Sequence, residues 1–272
     1  MISCKEYVEI KKEQLKEKVS AFKTEPVLVV IQVDNNPASN AYVNGKKRDA
    51  QELGIRCIHT IIDSEKISHE ELEEVIISLN NDKDINGIII QLPIPDKYDV
   101  QKLQQCISPE KDVDGFRKDS LFKPCTPKGI IDWLKHNNFD FVGKNVTVIG
   151  RSNIVGKPLV NMLIEEGSTV TCCNSHTKSL SKYIYTADLV VSAIGKAKHF
   201  NKFDFKSVDI IVDVGINRDE NKKLCGDIDT DGFERYLPNT YVTPVPGGVG
   251  LLTRVSLMDN VIESYEMQNK II

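Results

Sequence analysis

The sequence predicts an α/β fold made of two parallel sheets in succession. Short β-branched apolar runs alternate with helix-length stretches through the first hundred or so residues, and the same alternation restarts at Asn145. The second set opens with a strand that runs directly into a glycine-bearing turn and a further helix, Val146 to Gly156. Strands that follow one another through helices return in the same direction, so both sheets should be parallel with right-handed crossovers.

In the first set, residues 4–23 carry Val8, Leu15, Val19 and Phe22 as an apolar stripe, which reads as a surface helix. Val27 to Val33 is almost wholly apolar, as a strand buried on both faces must be. Pro37 opens a helix that runs to about Leu53 and ends at Gly54. Arg56 to Ile62 is a second strand. Ser68 to Leu79 is a helix, with Ser68 and Glu71 at the spacing of a capping box. Gly87 to Leu92 is the third strand, stopped by Pro93 and Pro95. A helix from Pro124 to His136, with Pro127 in its first turn, precedes the second set. That set reads as strand Asn145–Ile149, helix Gly156–Glu166, and strands Thr169–Cys173, Leu189–Ala193, Ile210–Val214 and Tyr241–Thr243. A last helix covers about Leu251 to Met267, and the polar segment Arg117–Lys123 is the expected hinge.

Composition narrows the function. The chain has 272 residues, 27% charged and 40% hydrophobic, with a formal net charge of -4, which offers no basic surface for nucleic acid. No apolar run is long enough to span a bilayer. The opening Met1-Ile-Ser-Cys-Lys-Glu6 lacks the charged-then-apolar pattern of a secretion signal, so a cytoplasmic location is expected, with no membrane partner. The seven cysteines show no C-x-x-C spacing and the five histidines are scattered, so neither a metal site nor a disulfide framework is expected.

Gly150-Arg151-Ser152-Asn153-Ile154-Val155-Gly156 has the context of a dinucleotide site: a tight strand-to-helix turn whose backbone N–H groups can face a pyrophosphate. Its spacing departs from G-x-G-x-x-G, because Ser152 replaces the second glycine and the last glycine falls one place later. An ordinary βα turn would also fit the spacing alone. An NAD site usually ends its second strand with an acid, whereas this one ends Cys172-Cys173-Asn174-Ser175. Arg151 in the turn suits a 2′-phosphate, which favours NADP. An exposed structural arginine remains compatible.

Tyr42 and Lys46 are four apart and share one helix face. A lysine walled by apolar groups near the carboxyl end of a sheet can exchange protons near neutrality. A solvent-exposed helix lysine is the plainer alternative, and Lys47 and Arg48 beside it allow that. Gln91 interrupts an apolar strand, either as a structural hydrogen bonder or as a site residue. Asp112-Val113-Asp114-Gly115 is either a turn or a carboxylate for a ligand with N–H donors. Pro244 to Gly250 is a glycine-rich loop, either a linker or a close backbone approach to a ligand.

Taken in order, these stretches resemble one family closely, the methylenetetrahydrofolate dehydrogenase/cyclohydrolases of one-carbon metabolism. The resemblance rests on Pro37-Ala38-Ser39 with Tyr42-Val43 and Lys46, Gly87-Ile-Ile-Ile-Gln-Leu-Pro93, Lys111-Asp-Val-Asp-Gly-Phe116 and Pro124-Cys-Thr-Pro-Lys-Gly129. It continues through Gly150 to Pro158, Asp213-Val-Gly-Ile-Asn217 and Thr243-Pro-Val-Pro-Gly-Gly-Val-Gly250.

The resemblance implies two parallel-sheet domains flanking a cleft. Residues 1–116 with 251–272 would form the folate-binding catalytic domain, and 117–250 a Rossmann-type NADP-binding domain, in a homodimer. It implies NADP-dependent oxidation of 5,10-methylene-tetrahydrofolate to the 5,10-methenyl cation, then hydrolysis to 10-formyl-tetrahydrofolate. A monofunctional dehydrogenase is the alternative. Lys46 would be the catalytic lysine, Tyr42 its neighbour packing on the folate, Gln91 its partner and Asp114 the pterin anchor. Leu92 and the loop residues Pro246, Gly247 and Gly248 would bind substrate. Gly150, Arg151 and Ser152 would hold the cofactor phosphates, Arg151 with Ser175 the 2′-phosphate, and Ile216 would line the nicotinamide. Three departures from the family pattern stand out: a short Arg117–Lys123 segment, Asn174 where His is usual, and Leu251 where Pro is common.

Overall fold

The computed structural model describes residues 1–271, and the chain divides into two compact units. Glu9–Cys125 and the residues from Arg254 onward form one, Met1–Val8 and Thr126–Thr253 the other. No helix among the described residues is long and apolar enough to cross a membrane.

The first of these units holds α1 (Cys4–Ser20, from Glu9), β1 (Val27–Val33), α2 (Pro37–Glu52), β2 (Arg56–Ile62), α3 (His69–Asn81), β3 (Gly87–Gln91) and α4 (Val100–Cys106). Its sheet is parallel in the order β2-β1-β3. Every residue of β1 is buried, as its almost wholly apolar run requires. One face of β1, through Val27, Val29, Ile31 and Val33, packs in a core with Leu72 and Ile76 of α3, Ile88 and Ile90 of β3, and Leu103 of α4. The capping box at Ser68 and Glu71 forms as its spacing predicts. Helix α4 lacks an extended apolar period and was not expected; Asp99 caps it, accepting from the Lys102 N–H.

The second unit contains α5 (Cys125–His136, from Thr126), β4 (Asn145–Ile149), α6 (Gly156–Glu165), β5 (Thr169–Cys173), α7 (Leu180–Ile184) and β6 (Leu189–Ser192). It continues with β7 (Ile210–Asp213), the hairpin β8 (Asn217–Arg218) and β9 (Leu224–Cys225), α8 (Phe233–Tyr236) and β10 (Tyr241–Val242). Its five-stranded sheet is parallel in the order β10-β7-β6-β4-β5. The chain's start is tied here: the Trp133 indole donates to the Ile2 carbonyl, and the Ile2 N–H to Asn137 Oδ1.

Helix α9 (Val249–Gln268) begins in the second unit and runs on in the first. Asn260, Ser264 and Gln268 recur every four residues as a polar stripe, of which Asn260 and Ser264 are fully buried. The Asn260 amide donates to the carbonyls of Val113 and Lys123, and Ser264 and Gln268 donate to those of Asn86 and Glu110. The helix thus meets the donor requirement of loops that no strand pairs.

Contacts group residues 1–8 and 251–253 with the five-stranded unit and 117–125 with the three-stranded one. The segment expected as a hinge is fastened down. The Arg117 N–H and the Ser120 hydroxyl bond to Asp112, and the Arg117 guanidinium reaches the carbonyls of Gln105 and Ile107. Gly115, at φ +72°, lies so close to the backbone of Phe122 to Pro124 that a Cβ would collide with it.

Asp112, 1% exposed, therefore organises this loop, and burial pushes its carboxyl up to about 6 despite the hydrogen bonds it accepts. A carboxyl whose folded pKa is raised from 3.8 stabilises the fold below that value and loses this contribution as pH rises through about 6. Comparing urea unfolding of the wild type with Asp112→Asn, the wild type should lose about 3 kcal/mol at most relative to the variant between about pH 4 and pH 7. A pH-independent difference between the two proteins would contradict this.

Candidate active site and nucleotide-binding turn

In the three-stranded unit, chemistry collects at the carboxyl ends of β1 and β3, where the strand order reverses and loops diverge. The Lys46 ammonium, in a residue 6% exposed, donates to Gln91 Oε1 at 3.1 Å and lies 5.5 Å from the centre of the Tyr42 ring. The other end of the Gln91 amide donates to the Leu92 carbonyl at 2.7 Å, which fixes the side chain with its oxygen toward Lys46. The buried amide is thereby satisfied on both sides.

Asp114 completes the group. Burial raises its carboxyl above the ordinary range, opposed by the charge of Lys46 and by the Cys125 thiol, which lies 3.9 Å from Oδ1. Burial likewise pushes the Tyr42 hydroxyl up to about 12, opposed by Arg254 and reinforced by Asp114. The structure thus brings Tyr42, Lys46, Gln91 and Asp114 together, with Leu92 beside Gln91. Its neighbours in the Lys-Asp-Val-Asp sequence do other work. Lys111 caps the end of α3 by donating to the carbonyls of Leu79, Asn80 and Asp82, and Asp112 holds the loop described above.

Several residues around this group were missed. Arg254 lies across α2 and pairs with buried Asp49 at 2.7 Å, and Lys12 meets the same carboxylate from the other side. Gly45 makes room for it, since a Cβ there would strike the Arg254 guanidinium. Gln32 is fully buried opposite Gln91 on β1 and bonds to His59 and Asn40. Its place inside an apolar strand was the same signal that marked Gln91. The Ser39 hydroxyl in the first turn of α2 is buried without a partner, a cost that a polar ligand or water would relieve.

In the five-stranded unit the order reverses between β5 and β6, on either side of β4. Gly150 follows β4 with φ +120°, and a Cβ there would strike the Ala193 carbonyl. Gly156 in turn packs against the Gly150 carbonyl. The turn is as close as backbone allows, which is the cradle a pyrophosphate requires. The Ser152 hydroxyl accepts from the N–H groups of Val155 and Gly156, shaping the entry to α6. Arg151 and Ser175 are exposed at the neighbouring ends of β4 and β5 with no hydrogen bond to each other. Asn174 shapes the turn after β5, accepting from the His176 N–H. Ile216 is 55% exposed in the loop after β7. Gly247, with φ +100°, and Pro246 are exposed before α9, and Gly248 is packed against the Pro244 carbonyl.

Among the described residues no cluster of three His, Cys, Asp or Glu side chains could hold a metal, and all seven cysteines are free.

Residues 2–114 match the tetrahydrofolate dehydrogenase/cyclohydrolase catalytic domain, and residues 124–269 its NAD(P)-binding domain. A bifunctional FolD protein of Caldicellulosiruptor saccharolyticus is 44% identical over 281 aligned positions, 98% of each chain. The crystal structure of the bifunctional FolD methylenetetrahydrofolate dehydrogenase/cyclohydrolase of Campylobacter jejuni superposes with a TM-score of 0.92 at 39% identity, covering 99% of this chain and 98% of that one. A Trypanosoma brucei dehydrogenase-cyclohydrolase solved with NADP and an inhibitor aligns at 27% identity with a TM-score of 0.90, covering 99% and 98%.

Gly150→Ala tests the turn. The new methyl group meets a backbone carbonyl rather than a movable side chain, at a φ that L-residues avoid. The variant should lose about 1–3 kcal/mol of unfolding free energy, and a dinucleotide should no longer raise its melting temperature. Wild-type melting and wild-type stabilisation by the dinucleotide would show that the turn is neither strained nor a ligand site.

Proposed function

The chain belongs to the tetrahydrofolate dehydrogenase/cyclohydrolase family, and on that premise we propose that it oxidises 5,10-methylene-tetrahydrofolate with NADP and hydrolyses the resulting 5,10-methenyl cation to 10-formyl-tetrahydrofolate. In this reading the three-stranded unit binds folate and carries the catalytic residues, while the five-stranded unit binds NADP. The family resemblance extends the proposal to a cytoplasmic homodimer.

The observation that carries the bifunctional reading is the Lys46–Gln91 hydrogen bond beside Tyr42 and Asp114. Bound NADP would supply the hydride acceptor for the methylene carbon, chemistry that needs alignment of two rings and no side-chain proton transfer. Hydrolysis does need one. The neutral amine form of Lys46 takes a proton as water adds to the methenyl carbon, and the ammonium so formed returns it to the departing nitrogen as the carbon–nitrogen bond breaks, while the proton of the added hydroxyl leaves to solvent as the formyl C=O forms. Gln91 holds the lysine nitrogen in place for both transfers. Asp114 accepts from the N–H groups of the pterin, and the Tyr42 ring packs against the folate. Leu92, Pro246, Gly247 and Gly248 complete the substrate contacts.

The residues of the nucleotide turn fit NADP. The glycine cradle at Gly150 accepts a diphosphate against backbone, with Ser152 beside it. Arg151 and Ser175, exposed and free of each other, suit the 2′-phosphate, and no acid at the end of β5 repels it. Ile216 offers an apolar surface to the nicotinamide.

Lys46→Met keeps the apolar stem and removes the ammonium. With methylene-tetrahydrofolate and NADP at saturation, absorbance should show NADPH forming at near wild-type rate while methenyl-tetrahydrofolate accumulates. Cyclohydrolase activity should drop by about two to four decades. Parallel loss of both activities would mean that Lys46 only positions folate.

Arg151→Ala should raise the KM for NADP by roughly one to two decades, from a charge-assisted contact of about 1.5–3 kcal/mol, and should leave the KM for NAD nearly unchanged. Equal effects on the two dinucleotides would remove Arg151 from the 2′-phosphate site.

A further inference from the structure

Two buried aspartates at the carboxyl ends of β6 and β7 take no part in the chemistry above. Asp213, 2% exposed, ends β7; its Oδ1 accepts from the N–H groups of Gly215 and Asp227 and its Oδ2 from that of Ile228, each at 2.9 Å. Asp227 is fully buried. Its Oδ2 accepts from the Ser192 hydroxyl at 2.9 Å and from the N–H groups of Ile194 and Gly195 at 2.8 and 3.3 Å. Its Oδ1 accepts from the Lys196 N–H at 2.8 Å and the Asn217 amide at 3.0 Å. Three successive N–H groups around Gly195, at φ +66°, make a backbone nest for an anion, and the chain fills it with its own carboxylate.

The spacing around Ile216 gives these contacts a direction. Gly215 is held by Asp213 and Asn217 by Asp227, so the residue between them is clamped on both sides. No room is left for adjustment: a Cβ on Gly215 would strike Asp227, and one on Gly226 would strike Asp213. The clamp presents Ile216 outward, 55% exposed, an apolar side chain that core packing does not explain. Burial pushes the Asp213 carboxyl up to about 6, with backbone N–H groups restraining the rise. Desolvating two neighbouring carboxylates is costly, and what they hold is the pair of loops at the sheet end where ligands of doubly wound folds lie.

We propose that Asp213 and Asp227 are positioning residues for hydride transfer: together they set Ile216 and the Ile194–Lys196 loop as a rigid wall against the nicotinamide ring. This rests on the NADP-dependent reading above. The wall acts on alignment, not on affinity for the phosphates, which the Gly150 turn supplies, and it has no part in hydrolysing the methenyl cation.

The test is Asp227→Asn, which preserves shape but turns an NH2 toward N–H donors that need an acceptor. With wild type as control, kcat for hydride transfer should fall about 10- to 100-fold, the scale of a small misplacement of reacting groups, while the KM for NADP changes far less. Cyclohydrolase activity on methenyl-tetrahydrofolate supplied directly should be unchanged. Should Asp227→Asn fail to fold, Asn217→Ala removes one donor and leaves both carboxylates. It should show the same selective loss of kcat, at smaller amplitude. Equal loss of both activities, or a loss confined to the KM for NADP, in whichever variant folds would overturn the positioning role. Absence of hydride transfer in the wild type itself would overturn the NADP-dependent reading, and this inference with it.

Discussion

In each unit the first strand has parallel neighbours on both sides whose connections leave in opposite directions. β1 lies between β2 and β3, and β4 between β5 and β6. The loops at their carboxyl ends cannot close over one another, so a crevice opens there. Much of the proposed chemistry sits at these two places. Gln91 ends β3, Tyr42 and Lys46 lie on the helix that follows β1, and Gly150 directly follows β4.

A crevice lined by loops is a place where backbone donors and acceptors lack ladder partners, and the chain answers with buried polar side chains. Asp112 gathers the Arg117 to Ser120 loop, Lys111 gathers the carbonyls at the end of α3, and Asn260, Ser264 and Gln268 gather the carbonyls beneath α9. Asp213 and Asp227 do the same in the five-stranded unit. These groups bond mainly to backbone rather than to opposite charges. Their desolvation works against stability, and what they provide is loops held in one conformation.

Around Lys46 the balance is different. Burial disfavours charge on Asp114 and on Tyr42, and Lys46 is the cation that offsets it at Asp114. Asp49 meets two cations, Lys12 and Arg254, on the flank of the same helix. One ammonium, one amide and one carboxyl thus share a small volume.

What the sequence determined by itself was every element with a strong local period. The almost wholly apolar β1 was legible because burial on both faces writes itself into consecutive residues, and the strands Arg56–Ile62, Asn145–Ile149 and Thr169–Cys173 also have the expected bounds. The capping box of α3 was equally legible, since both partners lie within one turn. Lys46, Gln91 and Asp114 could be singled out, as polar residues in places where the local pattern was broken or ordered motifs carried a resemblance. Only the tertiary structure decided which members of the Lys111–Asp114 run face Lys46, that the Arg117–Lys123 segment is fastened to Asp112, and that Arg254 lies over Gly45. It alone joined Asp213 to Asp227 and both to the two loops. The reason is physical: a helix period or a cap is settled within a few residues, whereas a buried carboxylate is satisfied by whichever distant N–H groups the fold delivers, and nothing in its own neighbourhood names them.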